Sequence, residues 1–267
     1  MKQIQIPGTD LQVSRLSFGT ASLHHLWRQR DRQSLLLKAL DAGFTHFDTS
    51  PYYGFGLAEQ VIGSLPIAWR HRVTLATKVG LYAPAGALAT VSDVYARKIL
   101  GKVLPSLNRA VVDWSVARAQ KSLQASLRRL RRERVDLLYL HEPDAELIRT
   151  DEWQSWLQTQ VNEGRIRHWG LAGEAEGVQA LSLRAPSLAR VIQVRDSLSR
   201  HQADLVLLQG RPLQFTYGYL ADPAQSGHRP ESTLKQSLAR NRTGSVLVST
   251  RRADRIEGLA RIGSSRR

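Results

Sequence analysis

Four polar side chains of this sequence have the types that acid/base catalysis by a phenol needs. The segment FDTSPYYG contributes Asp48 and Tyr53, the segment ATKVG contributes Lys78, and the segment LYLHEP contributes His141. A tyrosine has an unperturbed pKa of about 10, so on its own it is a poor proton donor and a worse base at neutral pH. An adjacent ammonium group favours the phenolate, and we predict that Lys78 supplies this charge.

The other two side chains would complete such a site. A lysine inside a protein needs a partner to remain charged, and Asp48 is the predicted partner. His141 is predicted to hydrogen-bond a substrate oxygen and to stabilise negative charge that develops there. Each residue alone also has a structural interpretation, with Asp48 as a helix N-cap, Lys78 as a surface lysine and His141 as a satisfied core histidine. Asp48, Lys78 and His141 each lie near the end of a predicted strand, and this shared position favours the chemical interpretation.

The predicted strands are short segments rich in β-branched and aromatic residues. We predict eight strands of this kind, at 16–21, 45–50, 73–79, 135–143, 168–173, 190–197, 205–212 and 245–250. Their alternation with amphipathic stretches predicts parallel strands joined by crossover helices. Eight strands in 267 residues favour an α/β protein of the (β/α)8 or TIM-barrel type. An open doubly wound sheet is disfavoured, because no GxGxxG follows the first strand.

The helical stretches are amphipathic and have recognisable stop signals. Clear examples are 34–42 before Gly43, 113–130, and a stretch that begins at Thr150 or Asp151 and ends before Gly164. Before the first strand, alternating apolar residues on both sides of the segment PGTD predict a β-hairpin that caps the barrel. Two places depart from the ideal pattern: a long insertion at 81–112, and a sixth helix that is short or vestigial.

In such barrels the site forms where the strands end and the βα loops begin. The predicted strands bring together at this face Gly19, Thr20, Asp48, Lys78, His141, Ala172, Gly173, Gln193, Arg211, Ser249, Thr250 and Arg251. An acid, an ammonium and a histidine therefore converge from the second, third and fourth strands.

The bulk composition limits the classes of function. Hydrophobic residues make up 42% of the chain, enough for a sizeable core, and charged residues make up 23%, which argues against general disorder. Zero cysteines exclude disulfides, thiolate metal ligands and a cysteine nucleophile, and we expect no metal site. No apolar run reaches about 18 residues, and the opening MKQIQIPGTD lacks the apolar core of an export signal. We expect a cytoplasmic protein without a membrane partner.

The formal net charge of +15 raises the alternative of a nucleic-acid partner. Five arginines lie between 128 and 134, directly after Leu123, Leu127 and Leu130, which share one helical face. We therefore interpret the arginines as the solvent-exposed side of that helix. No zinc spacing, RNA-binding aromatic signature or basic heptad array supports nucleic acid, so we predict no such partner.

The order and spacing of the motifs resemble those of the aldo-keto reductase family. The segments that carry the resemblance are the hairpin, GFTHFDTSPYYG followed by Glu59, ATKVG, VDLLYLHEPD and EGRIRHWGLAG. In that family an Asp, a Tyr five positions later, a Lys on the third strand and a His on the fourth form a catalytic tetrad. Here these are Asp48, Tyr53, Lys78 and His141. The resemblance runs from the hairpin to about residue 261 and implies one barrel domain over 1–267.

The resemblance implies hydride transfer between NADP(H) and the carbonyl carbon of an aldehyde, ketone or sugar, with Tyr53 as general acid/base. The cofactor supplies the hydride and the protein orients it. An arginine cluster after the eighth strand favours NADP(H) over NAD(H), since guanidinium groups bind phosphate bidentately, although a basic surface helix is the alternative. The residues implied to bind the cofactor are Gly19, Thr20, Ala21, Asp48, Gln193, Arg211, Ser249, Thr250, Arg251 and Arg255.

The sequence departs from the family pattern at two strand ends. The family usually ends strand five in a Ser-Asn pair that binds the nicotinamide carboxamide, whereas this chain has Ala172-Gly173. After strand seven the family often has an aromatic residue that stacks on the nicotinamide, whereas the predicted strand here leads into Gln209, Gly210 and Arg211. An open alternative is therefore a catalytically weak barrel that serves as a cofactor-sensing or partner-binding subunit.

The substrate pocket is less defined by the sequence than the tetrad. Candidate contacts to a small-molecule carbonyl substrate are His24, His25, Trp27, Tyr82 and Tyr95, and a covering of the barrel rim is an equal alternative for Trp27 and its neighbours. We expect a monomer or a weak homo-oligomer.

Overall fold

Eight parallel strands close into a barrel in the computed structural model, which describes residues 1–83, 110–222 and 229–265. The barrel strands are β3 (Leu16–Gly19), β4 (His46–Asp48), β5 (Thr74–Val79), β8 (Val135–His141), β9 (Ile166–Gly173), β10 (Val191–Arg195), β11 (Phe215–Tyr217) and β12 (Ser245–Val248). Strand β12 pairs with β3, with Val246 opposite Leu16, which closes the ring. The predicted (β/α)8 barrel is confirmed.

Helices follow the strands along the chain. Those of the described residues are α1 (Gln29–Asp41), α2 (Leu57–Gly63), α3 (Ile67–Arg70), α4 (Val116–Leu130), α5 (Thr150–Asn162), α6 (Ala175–Arg184), α7 (Asp204–Leu207), α8 (Pro230–Arg240) and α9 (Ile256–Ser264). Helix α4 buries Leu123 and Leu130 and leaves Arg128 exposed, as expected for the solvent-exposed side of an amphipathic helix. Arg129 departs from this prediction, because its side chain is only 7% exposed and forms an ion pair with Glu59. No helix within these described ranges is long and apolar enough to cross a bilayer.

The predicted seventh strand, 205–212, is wrong. Residues Asp204–Leu207 form the single turn of α7, and the seventh strand is Phe215–Tyr217. A run of four apolar residues is compatible with a strand or with a buried helical turn, and its periodicity cannot separate the two. Here the run forms α7, the short helix that was predicted between the sixth and seventh barrel strands, and Val206 is buried.

The N-terminal β-hairpin is present as predicted, formed by β1 (Gln3–Gln5) and β2 (Gln12–Ser14). Three apolar residues of the hairpin region, Ile6, Leu11 and Val13, are buried with apolar side chains of the barrel strands. The hairpin therefore closes the barrel at the end opposite the carboxyl ends of the strands. The hairpin residue Asp10 contacts the β9 side chains of Arg167 at 2.7 Å and His168 at 2.6 Å. These two hydrogen bonds lower the pKa of Asp10 to about 2.

The predicted insertion, 81–112, lies mostly outside the described residues, as does Tyr95. Its described ends pair as the short antiparallel strands β6 (Leu81–Tyr82) and β7 (Val111–Val112).

A buried histidine in the barrel makes the stability of the fold depend on pH. His46 has no exposed surface, its Nδ1 lies 2.7 Å from the Thr74 hydroxyl, and burial lowers its pKa to about 4. The unfolded chain therefore binds a proton at higher pH than the folded chain does. We expect the free energy of unfolding to fall by on the order of 3 kcal/mol as pH drops from about 6.5 to 4 because of this group.

The comparison that isolates this effect is between His46→Gln and the parent protein, in urea unfolding from pH 8 to 4.5. The free-energy difference between them should vary with pH, whereas His71→Gln, at an exposed histidine, should give a constant difference. A constant difference for His46→Gln would contradict the assignment.

Candidate active site

A cavity of about 480 Å³ opens at the carboxyl ends of the barrel strands. This is the face on which (β/α)8 barrels place their sites. The structure brings together there all four residues of the predicted tetrad and four further residues assigned to the cofactor: Asp48, Tyr53, Lys78, His141, Gly19, Ala21, Gln193 and Ser249.

Lys78 and Asp48 form a buried ion pair in this cavity. The Lys78 Nζ lies 2.6 and 2.7 Å from the two Asp48 carboxylate oxygens and 2.9 Å from the Thr49 carbonyl oxygen. Both side chains are almost fully buried, at 1% and 3% exposure. Asp48 lies opposite Ala76 of β5, and Lys78 follows two positions later, so strand alternation turns Lys78 toward the same side of the sheet.

Burial works against the charges of this pair. It raises the pKa of the Asp48 carboxyl and lowers the pKa of the Lys78 ammonium, and the opposite charge of the partner counteracts each shift. Each group therefore depends on the other to remain ionised in this position.

Tyr53 lies next to the ammonium group, with its hydroxyl oxygen 3.2 Å from the Lys78 Nζ. Burial raises the pKa of Tyr53 well above its usual range, and the negative charges of Asp48 and Glu142 add to this shift. The Lys78 ammonium lies where it was predicted, but in the resting site these effects outweigh its stabilisation of the Tyr53 phenolate. Asp48 compensates the charge of the lysine, so Tyr53 rests as a protonated phenol.

His141 ends strand β8 and faces Tyr53 edge-on, with their ring centroids 6.1 Å apart. Burial, together with the positive charge of Lys78, holds the pKa of this histidine well below its usual range. Its Nδ1 is buried and has no hydrogen-bond partner among the described residues. The site thus holds a neutral imidazole that can hydrogen-bond an oxygen of a bound molecule.

The loop that carries Tyr53 is fixed by its backbone and by a buried carboxylate behind it. Gly54 has φ 60°, and a Cβ there would lie 2.7 Å from His24 Cβ, so a larger residue is excluded. In the following helix, Glu59 is fully buried and contacts the Thr77 hydroxyl at 2.6 Å and Arg129 Nε at 2.7 Å. These contacts tie the loop to β5 and α4.

Two of the predicted cofactor residues bring backbone and amide groups to the cavity. A Cβ on Gly19 would lie 2.6 Å from the Ser249 hydroxyl, so a larger residue would displace this hydroxyl from its hydrogen bond to the Gly19 carbonyl oxygen. Gln193 hydrogen-bonds Asp48 and leaves its buried Oε1 without a partner among the described residues. Thr20 does not line the cavity. Its hydroxyl donates to the Asp48 carbonyl oxygen at 2.9 Å and holds the ends of β3 and β4 together.

The predicted phosphate-binding residues lie at a second, adjoining cavity of about 340 Å³. It shares the lining residues Leu220, Leu234 and Ser249 with the first cavity, and Thr250 and Arg255 line it further out. Arg251 is exposed on the same segment, without lining either cavity. The two cavities adjoin at these shared residues, and we refer to them together as the groove.

Arg211 is not part of this face of the barrel. It precedes the true seventh strand and donates to the Ala189 carbonyl oxygen, next to the start of β10. The end of the seventh strand is instead occupied by Tyr217, which lines the main cavity together with Tyr219. The predicted lack of an aromatic residue after strand seven is thus wrong, and the alternating FTYGYL segment is the signal that identifies it.

Glu142 also lines the main cavity and was not predicted. It follows His141 in a left-handed conformation with φ 51°, and its Oε2 accepts a hydrogen bond from the Glu174 backbone at 2.9 Å. A Cβ on Gly173 would lie 2.6 Å from this oxygen. The carboxylate of Glu142 therefore occupies space that a side chain at position 173 would need.

The candidate substrate contacts are dispersed. His24 packs against Gly54 beside the tetrad, whereas Trp27 is 67% exposed at the barrel rim. Tyr82 lines a separate cavity beside α4. Tyr95 is outside the described residues.

Comparison with known proteins agrees with this fold. The family model described as "Aldo/keto reductase family" matches residues 15–208, and the chain belongs to that family. A D-threo-aldose 1-dehydrogenase from a Pseudomonas species is 28% identical over 253 residues, which cover 90% of this chain and 66% of that protein. The chain spans about half to two thirds of the length of the curated relatives it matches.

Solved structures confirm the barrel. A glycerol dehydrogenase from Gluconobacter oxydans superposes with a TM-score of 0.74 at 22% identity, covering 97% of this chain and 89% of that one. An aldo-keto reductase from Klebsiella pneumoniae in complex with NADPH superposes with a TM-score of 0.70 at 18% identity, covering 99% and 91%. At these identities the likeness concerns the fold.

Proposed function

We propose that this protein is an NADP(H)-dependent oxidoreductase that interconverts a carbonyl group and an alcohol on an aldehyde, ketone or sugar. The contact of the Lys78 ammonium with both the Asp48 carboxylate and the Tyr53 hydroxyl, at 2.6 and 3.2 Å, carries this proposal. Such a unit holds a phenol with a defined proton at the edge of a cavity, as transfer of a proton to a substrate oxygen requires.

The proton moves between Tyr53 and the substrate oxygen. In reduction, negative charge develops on the carbonyl oxygen, and the phenol of Tyr53 donates its proton to it. Lys78 stabilises the phenolate that remains, and Asp48 keeps Lys78 charged and oriented. In oxidation, the same phenolate takes the proton from the alcohol. The neutral ring of His141 hydrogen-bonds the reacting oxygen and fixes its position.

The described residues fit a nicotinamide dinucleotide in the groove. The buried, unpartnered Oε1 of Gln193 suits an amide donor, Gly19 allows close backbone approach, and Tyr217 offers an aromatic face in the same cavity. The outer part of the groove, with Thr250 and Arg255, suits a phosphate. When bound, the cofactor donates or accepts the hydride.

The experiment that tests this function combines binding and turnover. NADPH fluorescence should change in a saturable way on titration with the protein, and NADPH absorbance should fall when a panel of aldehydes, ketones and aldoses is added. NADP⁺ with the corresponding alcohols tests the reverse direction. Saturable binding without turnover in either direction on the whole panel would favour the alternative, a cofactor-sensing or partner-binding subunit, which the Ala172-Gly173 pair motivates.

Removal of the Arg255 guanidinium should weaken the selectivity for NADPH over NADH. We expect Arg255→Ala to raise the Kd of NADPH about tenfold and to leave that of NADH nearly unchanged, because the two cofactors differ by one phosphate. Fluorescence titration with both cofactors measures this. Arg242→Ala, at an exposed arginine outside the groove, is the control. Equal effects of Arg255→Ala on both cofactors would contradict the assignment.

A further inference from the structure

Glu142 is the one charged residue of the main cavity, among the described residues that line it, without an ion-pair partner within 4 Å. The charged lining residues are Asp48, Lys78, Glu142, Glu174 and Arg195. Asp48 is paired with Lys78, and Glu174 is paired with Arg195 at 3.1 Å. The cavity lining therefore carries one net negative charge when Glu142 is ionised. The Glu142 residue is partly open to solvent, and the charges of Lys78 and Arg195 counteract the rise that burial causes in its pKa.

The position of this carboxylate is determined by the local structure. The left-handed backbone at Glu142 directs its side chain toward β9, where the backbone N–H of Glu174 donates to Oε2. Gly173 leaves the required space, since a Cβ there would lie 2.6 Å from Oε2 and 3.0 Å from the Glu142 Cα. The missing side chain at position 173 and the placement of the Glu142 carboxylate thus belong to one arrangement.

The charge of Glu142 extends to the reacting groups. It contributes to the raised pKa of Tyr53 and of Tyr217, and it supports the positive charge of Lys78. Hydride transfer to a carbonyl whose oxygen contacts Tyr53 requires the nicotinamide ring to lie in this same cavity. The ring carries a positive charge in the oxidised cofactor and is neutral in the reduced one, whereas the rest of the two molecules is identical.

We propose that Glu142 selects the redox state of the cofactor, because its carboxylate stabilises the oxidised nicotinamide ring relative to the reduced ring. This inference rests on the proposed function. By the thermodynamic cycle, tighter binding of the oxidised form lowers the reduction potential of the bound cofactor and makes its reduced form a stronger hydride donor. It also delays release of the oxidised cofactor after a carbonyl has been reduced.

The test is the ratio of two dissociation constants, measured for NADP⁺ and NADPH by calorimetry at pH 8. Glu142→Gln keeps the shape and the acceptor for the Glu174 N–H while it removes the charge. We expect this variant to raise the Kd of NADP⁺ about tenfold relative to the Kd of NADPH. This change corresponds to about 30 mV in the reduction potential of the bound cofactor. Glu174→Gln should shift the ratio less, since its charge is paired, and Glu146→Gln, with an 88% exposed side chain, should not shift it.

The ionic strength provides a second measurement on the parent protein. NADP⁺ and NADPH carry the same phosphates, so salt should change the ratio of their dissociation constants only through the charge of the nicotinamide ring. The preference for NADP⁺ should therefore diminish as the salt concentration is raised. An unchanged ratio in Glu142→Gln, or equal losses for both redox forms, would overturn the inference and leave the proposed function intact. Failure of the parent protein to bind either cofactor would overturn both.

Discussion

Tyr53→Phe is expected to lower kcat for carbonyl reduction about a hundred- to ten-thousand-fold, the range that a positioned general acid contributes. The substitution removes only the hydroxyl that lies 3.2 Å from the Lys78 Nζ. Its phenyl ring retains the edge-on contact with His141. The Kd of NADPH should therefore change little, and single-turnover rates of NADPH oxidation should show the loss.

The adjacent tyrosine gives a matched control for this experiment. Tyr52 does not line the main cavity and packs edge-on against Phe55. Tyr52→Phe should retain most of the activity of the parent protein. Full turnover in Tyr53→Phe, or an equal loss in both variants, would refute Tyr53 as the proton donor.

Lys78→Met is expected to destabilise the protein by about 3–5 kcal/mol and to abolish turnover. The substitution leaves the Asp48 carboxylate buried without its counter-ion, which is the costly way to break such a pair. Urea unfolding measures the loss of stability, and the carbonyl reduction assay measures the loss of activity. Lys38→Met is the control, because both side chains of its pair with Glu257 are exposed and the pair should contribute less than about 1 kcal/mol.

The double variant Lys78→Met/Asp48→Asn separates the two roles of the pair. Removal of the orphaned charge should restore much of the lost stability, while turnover remains absent because no ammonium lies beside Tyr53. If the double variant is no more stable than Lys78→Met, the charge of Asp48 is not the source of the instability.

The barrel and its tetrad could be predicted because each depends on local patterns. Strands β4, β5 and β8 are buried segments with a polar or charged residue at or near their ends, and parallel pairing places those ends together. The seventh strand was misplaced because α7 offers an equally apolar run ten residues earlier. That error placed Arg211 in the site and concealed Tyr217.

Two features of the site depend on three-dimensional environment and have no local signal in the sequence. The resting protonation of Tyr53 depends on burial and on the nearby charges of Asp48 and Glu142, which residue types alone do not reveal. The position of the Glu142 carboxylate depends on one left-handed φ angle and on an absent side chain at Gly173, 31 positions later and on a neighbouring strand.

The seam that closes the barrel constrains how the chain reaches its native state. Strands β12 and β3 join there, and a hydrogen bond links Ser249 to Gly19 across 230 positions of sequence. The residues of the tetrad lie between 48 and 141, so their strands can pair early. The ring itself closes only after the last strand has been synthesised. Until then both edge strands are unprotected on the ribosome, and such long-range closure is slow and exposed to aggregation.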